Sequence, residues 1–226
     1  MFTTNISQDG KVMRVFFRLT ALFFLCFFSA AAAAAPHPQT HEERLRSISA
    51  IESYLAELRS MQARFTQTAP DGEQTSGVFY MQRPGKMRFE YDDPIEDFIV
   101  ADGLFIYFYD AVMDHHSSTA IGNSLADFIL RDNLRLSGDV TVLDLQENPE
   151  ENLIKVSVTQ TADPSAGSIT LFFQREPMRL VKWRIHDAQG MTTEVALWEA
   201  QTNIHFNDRN LFRFRDPRRT REQFNR

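Results

Sequence analysis

From Ala63 onward, apolar residues recur at every second position in short runs, and Pro or Gly ends each run. A chain patterned this way folds as antiparallel strands joined by tight turns, because alternate side chains of a strand face opposite sides of its sheet. The turns stand at Asp71-Gly72, Pro84-Gly85, Asp102-Gly103, 164–167 and Gln189-Gly190. Ile154, Val156 and Val158 mark one strand face; Ile169, Leu171 and Phe173 mark another; so do Val181, Trp183 and Ile185, then Val195 and Leu197. About eleven strands are expected, and the fold class is mainly β.

Before the strands the period changes. Leu45, Ile48, Ile51, Leu55 and Leu58 recur at three and four, the stripe of an amphipathic helix. Thr40 and Glu43 stand at capping-box spacing at its start. This helix needs a surface to cover. A second, short helix is expected over 124–131, with Ser124 and Asp127 as its capping box and Leu125, Phe128 and Ile129 on one face. An insertion of that size in the middle of a sheet has the form of a lid.

The hairpin at Arg83-Pro84-Gly85-Lys86 is expected to carry an even-numbered loop, which pairs Gln82 with Met87, Tyr80 with Phe89 and Val78 with Tyr91 on one face. Five of those six are apolar, so that face is assigned to the interior. In 98–109, Phe105, Tyr107 and Tyr109 alternate with Leu104, Ile106 and Phe108. Both faces are apolar there, and the strand is expected to be covered on both sides.

Residues 1–35 stand apart as a secretory leader: Lys11, Arg14 and Arg18 precede the apolar run 19–28, then Ser29 and six alanines, 30–35. The run is too short for a permanent span, which needs about 20 residues. Cleavage is expected near Ala33 or Ala34, with Met13 an alternative start, and 36–226 is expected to form a single domain. The one cysteine, Cys26, lies within the leader, so the mature chain has no disulfide in an oxidising compartment. Removing the leader takes three of 24 basic and one of 30 acidic residues, leaving 21 against 29, a balance that does not suit nucleic acid. The exception is Arg209, Arg213, Arg215, Arg218, Arg219, Arg221 and Arg226. They are read as a solvated or disordered tail, with contact to an anionic membrane or acidic partner patch as the alternative.

Catalytic constellations are missing from the pattern. His115 and His116 are adjacent on a strand and point to opposite faces, which does not suit a shared metal ion. The run Gly122-Asn123-Ser124-Leu125-Ala126 has Ala where a nucleophile elbow needs Gly, and no buried parallel strand precedes it. Asp92, Asp93, Glu96 and Asp97 flank Pro94 in a turn and are read as solvated. No phosphate loop, dinucleotide fingerprint or zinc spacing is present, and neither enzyme activity nor a cofactor is expected. What stands out is apolar supply, with 20 Phe, 5 Tyr, 2 Trp and 8 Met. A sheet of this width curls enough to enclose a cavity that one helix and a small lid do not fill.

From Leu55 to about Pro217 the chain resembles the periplasmic lipoprotein carrier family LolA. The resemblance rests on Phe65-Thr66-Gln67, the Gly77 strand leading into Arg83-Pro84-Gly85-Lys86, the aromatic strand 87–91, and 99–103 followed by Tyr107-Phe108-Tyr109. It implies an incomplete, half antiparallel β-barrel covered by the N-terminal helix and the short lid helix around an apolar cavity. It also implies that Arg83 bonds to the lid backbone and latches the empty carrier shut, and that Met87 sits near the cavity mouth. An acyl cavity lined by Leu45, Ile48, Leu55, Tyr80, Met87, Phe89, Tyr91, Leu125, Phe128 and Ile129 follows. The expected partners are acylated lipoproteins, an inner-membrane ATP-driven lipoprotein release complex as donor and an outer-membrane acceptor or membrane surface, the carrier itself being a periplasmic monomer. One rival reading remains open, a regulatory or sensor half-barrel that binds a partner protein or lipid signal without transport; a second, a lipid-binding hydrolase, is discounted for want of a nucleophile and base in a plausible context.

Overall fold

The computed structural model describes residues 40–218. The leader and the arginines at 219, 221 and 226 lie outside the described residues. Helix α1, His41–Glu57, begins with the expected capping box: Glu43 N–H donates to Thr40 Oγ1 (3.2 Å) and Thr40 N–H to Glu43 Oε2 (2.8 Å). These bonds satisfy amides that a helix end leaves free, and they hold the Glu43 carboxyl below the usual range. Ile51 and Leu55 on its inward stripe, and Leu58 just after it, are buried, and Ile48 is partly so. Leu45, in the second turn, remains 51% exposed.

Eleven strands follow: β1 Ser60–Thr68, β2 Gln74–Gln82, β3 Lys86–Tyr91, β4 Phe98–Asp102, β5 Phe105–Asp110, β6 His115–Ala120, β7 Val140–Asn148, β8 Leu153–Gln160, β9 Gly167–Gln174, β10 Arg179–Asp187 and β11 Thr192–Thr202. They form one antiparallel sheet in the order β6-β5-β4-β3-β2-β1-β11-β10-β9-β8-β7. The first and last strands in that order do not pair, so the sheet is an open half-barrel and not a closed one. Two short helical segments lie between β6 and β7: a 3₁₀ turn at Ile121–Asn123 and α2, Asp127–Leu130.

The inner face reads directly from the register. Phe65 lies opposite Leu197 and Gly77, Phe79 opposite Phe89, Met81 opposite Met87, and Met87 opposite Ala101. On the other half, Trp183 lies opposite Val195 and Leu171, and Val156 opposite Leu171 and Leu145. Gly77 is required by close packing, since a methyl there would meet the Glu90 carbonyl oxygen and the Phe65 ring.

The β2–β3 hairpin departs from the expected register by one residue. Its loop has three residues, 83–85, with Gly85 at φ +74°, so Val78 pairs with Glu90 and Tyr80 with Arg88. An odd loop exchanges the faces of one strand relative to an even loop. Tyr80 is thereby on the outer face, 6.1 Å from the Phe206 ring, and Phe79 and Met81 take the interior.

The segment 98–109 is split at Asp102-Gly103 into β4 and β5. Its outer face is covered as expected, but by the C-terminal segment. That segment crosses the outside of the sheet: Phe206 contacts Tyr80, and Phe214 stacks on Tyr107 at 4.5 Å and lies 6.0 Å from Phe98. Phe212 is buried. Residues 203–218 are therefore a packed strap and not a loose tail; Arg209, Arg213 and Arg215 stay exposed on it as expected, and the expectation of a solvated side chain is corrected for Arg218 alone. Arg218 is bound by Asp216 (2.7 Å) and lies 2.7 Å from His116 Nδ1. The inner face of β5 is covered only in part: Ile106 is buried, whereas Phe108 is 42% exposed.

Two of the carboxylates around Pro94, Asp92 and Asp97, are also more than solvated, whereas Asp93 and Glu96 are exposed as expected. Asp92 accepts from Arg64 (2.9 Å), and Asp97 accepts from the Ala111 N–H (2.8 Å), tying the β3–β4 turn to the β5–β6 turn.

Candidate functional site

The interior lies between the concave sheet, α1 and α2. Phe65 meets Phe89 edge to face at 5.0 Å, Phe79 lies 4.8 Å from Phe89 and 5.3 Å from Trp183, and Tyr54 of α1 meets Phe173 at 5.9 Å. Such pairs add about 0.5–1.5 kcal/mol each beyond area burial. Phe65, Phe79, Phe128 and Phe173 are fully buried, so the space beneath the helices is filled by the chain's own side chains.

Helix α2 is shorter than the expected 124–131 and lacks the expected capping box. Ser124 Oγ accepts from the Ala126 N–H (3.2 Å), and α2 begins without a side-chain cap. Phe128, Ile129 and Leu130 nonetheless turn inward and are buried, with Leu125 just before them. Four residues cannot sustain a helix alone. Helix α2 therefore depends on its packing and on the groups that bind its last carbonyls.

Those groups come from the β2–β3 loop. Arg83 Nε donates to the Ile129 carbonyl (2.8 Å), Arg83 Nη1 donates to the Leu55 carbonyl of α1, and the Gly85 N–H donates to the Leu130 carbonyl (2.9 Å). One guanidinium thus joins both helices to the sheet. It is 7% exposed, and burial lowers its pKa to about 10, which leaves it charged at neutral pH. Its Nη2 is buried and has no hydrogen-bond partner among the described residues.

Of the expected lining residues, Ile48, Leu55, Met87, Phe89, Leu125, Phe128 and Ile129 meet in this interior. Tyr91 is at its margin, half-buried, with its hydroxyl donating to Gln67 Oε1 (3.1 Å). Leu45 and Tyr80 are not in it. Phe65, Phe79, Met81, Leu130 and Trp183 are, and the sequence reading passed over them as site residues. An odd loop count at Arg83-Pro84-Gly85 would have placed Phe79 and Met81 there.

A family model described as outer membrane lipoprotein carrier protein LolA matches residues 56–215. The chain belongs to that family. A protein of Methylococcus capsulatus named outer-membrane lipoprotein carrier protein is 26% identical over 214 residues, covering 91% of this chain and 96% of its own length. One of the same name from Nitrosospira multiformis is 29% identical over 207 residues, covering 87% and 91%. Among solved structures, a LolA superfamily protein of Nitrosomonas europaea aligns with a TM-score of 0.42 at 12% identity, over 76% of this chain and 98% of that one. The LolA match takes in Arg83, α2 and the whole sheet, and it begins just after Leu55. Among the described residues, no helix is long and apolar enough to cross a membrane, and no group of three or more His, Cys, Asp or Glu is placed to hold a metal ion.

Proposed function

We propose that this protein is a periplasmic carrier that takes up the acyl chains of lipoproteins released from the inner membrane and delivers them to the outer membrane. The observation that carries this reading is the latch: a buried arginine ties a four-residue helix over an aromatic interior, in a chain of the LolA family.

The physical need is large. Three chains of about sixteen carbons would cost about 40 kcal/mol to expose to water, at about 0.8 kcal/mol per methylene. An apolar interior removes most of that cost. Because Phe65, Phe79, Phe89 and Phe128 fill the interior in the closed state, cargo enters only when α2 leaves them. Opening breaks the Arg83 and Gly85 bonds, and the buried acyl surface offsets their loss. Closing restores those bonds as the cargo departs. The two states are balanced, and the ligand's differential affinity moves the balance.

The energy for loading comes from the donor, an inner-membrane ATP-driven lipoprotein release complex, and an outer-membrane acceptor or membrane surface takes the cargo. The carrier performs no covalent chemistry and works as a monomer formed by residues 36–226 after removal of the leader. The test is hand-over in vitro: protein incubated with triacylated lipoprotein and then with acceptor membranes should hold the lipoprotein in solution and pass it on. Lipoprotein that stays insoluble in the presence of the protein would refute the reading.

A further inference from the structure

At the end of the sheet remote from Arg83, the inner face stays open. A cavity of about 840 Å³ lies there between the ends of β1 to β6, within the range of about 300–1,000 Å³ that suits a small amphiphile. Its apolar wall includes Tyr91, Ile99 and Phe108, the last two being direct cross-strand partners. At its rim the β5–β6 turn presents Val112, 95% exposed, and Met113, 70% exposed.

The polar groups of this cavity are selective in kind. Thr75 and Gln67 are the uncharged polar residues on the β1–β2 side of its lining. Glu73, Glu96, Asp97 and Asp110 stand around the cavity, and its lining contains no lysine or arginine. Asp97 and Asp110 are fixed in place by the N–H groups of Ala111 and Met113, both at 2.8 Å. A negatively charged head brought here would meet four carboxylates against the single basic side chain of His115, and like charges repel.

We propose that this cavity is an always-open subsite for one acyl chain of an amphiphile with an uncharged head, and that its acidic rim turns away amphiphiles with anionic heads. The inference rests on the carrier reading and deepens it. The filled interior under α2 opens only against the latch, whereas this end is accessible without any lid movement. It gives a first chain somewhere to bind, and it separates a glyceride-type anchor from the anionic lipids of the surrounding membranes.

The test is a methyl NMR titration of the protein with 1-lauroylglycerol and, separately, with dodecyl phosphate, two probes of equal chain length. The Met113 and Ile99 methyl signals should shift and saturate with the glyceride, and binding of the phosphate should be at least tenfold weaker. In Glu73→Gln/Glu96→Gln, two exposed positions whose change leaves the core intact, that difference should fall several-fold. Equal affinity for the two probes would overturn the proposal, and so would glyceride shifts confined to Met87 and Ile129. A silent Met113 alongside normal lipoprotein hand-over overturns the subsite alone; a normal titration alongside failed hand-over overturns the carrier reading alone.

Discussion

The Nε of Arg83 donates to the carbonyl of Ile129 at 2.8 Å, joining the end of a strand to the helix that covers the interior. Substituting Arg83→Leu removes this bond and the one to Leu55, and it also removes a buried charge. The two effects oppose each other, so stability should change by only about 1–2 kcal/mol. Loading should persist while delivery slows, because nothing then offsets the loss of cargo on closing. A hand-over assay with acceptor membranes checks this, and unimpaired delivery would remove Arg83 from the latch.

Met87 is buried between Met81 and Ala101 on the inner face. Met87→Glu places a carboxylate there at a cost of several kcal/mol. Uptake of lipoprotein should be abolished and the denaturation midpoint lowered. Met87→Leu, which conserves volume and polarity, should cost less than about 1.5 kcal/mol and keep uptake. Normal loading by the Glu variant would exclude Met87 from the cargo path.

Tyr91 keeps its proton unusually long: burial pushes its hydroxyl up to about 12, with the bond to Gln67 opposing in part. The unfolded chain gives up this proton near 10, so the folded state binds more protons between the two values, and stability falls as pH rises from 10 toward 12. Burial also raises Tyr54, Tyr80 and Tyr107, so the ultraviolet tyrosinate titration of the protein is compared with that of Tyr91→Phe, which should lose a step near pH 12. An unchanged late step in that variant would contradict the placement.

Phe214 fastens the strap to the outer face, its ring 6° from parallel with that of Tyr107. Phe214→Ala should lower stability by about 1–2 kcal/mol, below the cost of a fully buried phenylalanine. Chemical denaturation measures it, with limited proteolysis expected to cut first after 203. A midpoint unchanged within error would mean that the strap adds nothing to the fold.

What the sequence makes legible follows from how local each signal is. Helix α1 is legible because Thr40, Glu43 and the stripe from Ile48 to Leu58 all act within the helix itself. The strands are legible because their period is two and their turns carry Gly. The faces of the β2–β3 hairpin are not, since register depends on whether the loop holds an even or odd number of residues, and Arg83-Pro84-Gly85 does not declare its parity. The strap is illegible for another reason: Phe206, Phe212 and Phe214 lie in a segment that forms no strand, and the ridge of Tyr80, Phe98 and Tyr107 they cover is assembled only by the folded sheet. Leu45 fits the helical stripe yet stays 51% exposed. The latch arginine is legible through its family resemblance alone.

Lid displacement is the most direct test of the whole account. Hydrogen exchange at the amides of Phe128, Ile129 and Leu130 should be measured in the empty protein and again after loading with a triacylated lipopeptide. If the interior yields to cargo by releasing α2, exchange there should quicken at least tenfold on loading while the β8–β10 core stays protected. Exchange that is unchanged or slower with the lipopeptide bound would contradict entry beneath this helix.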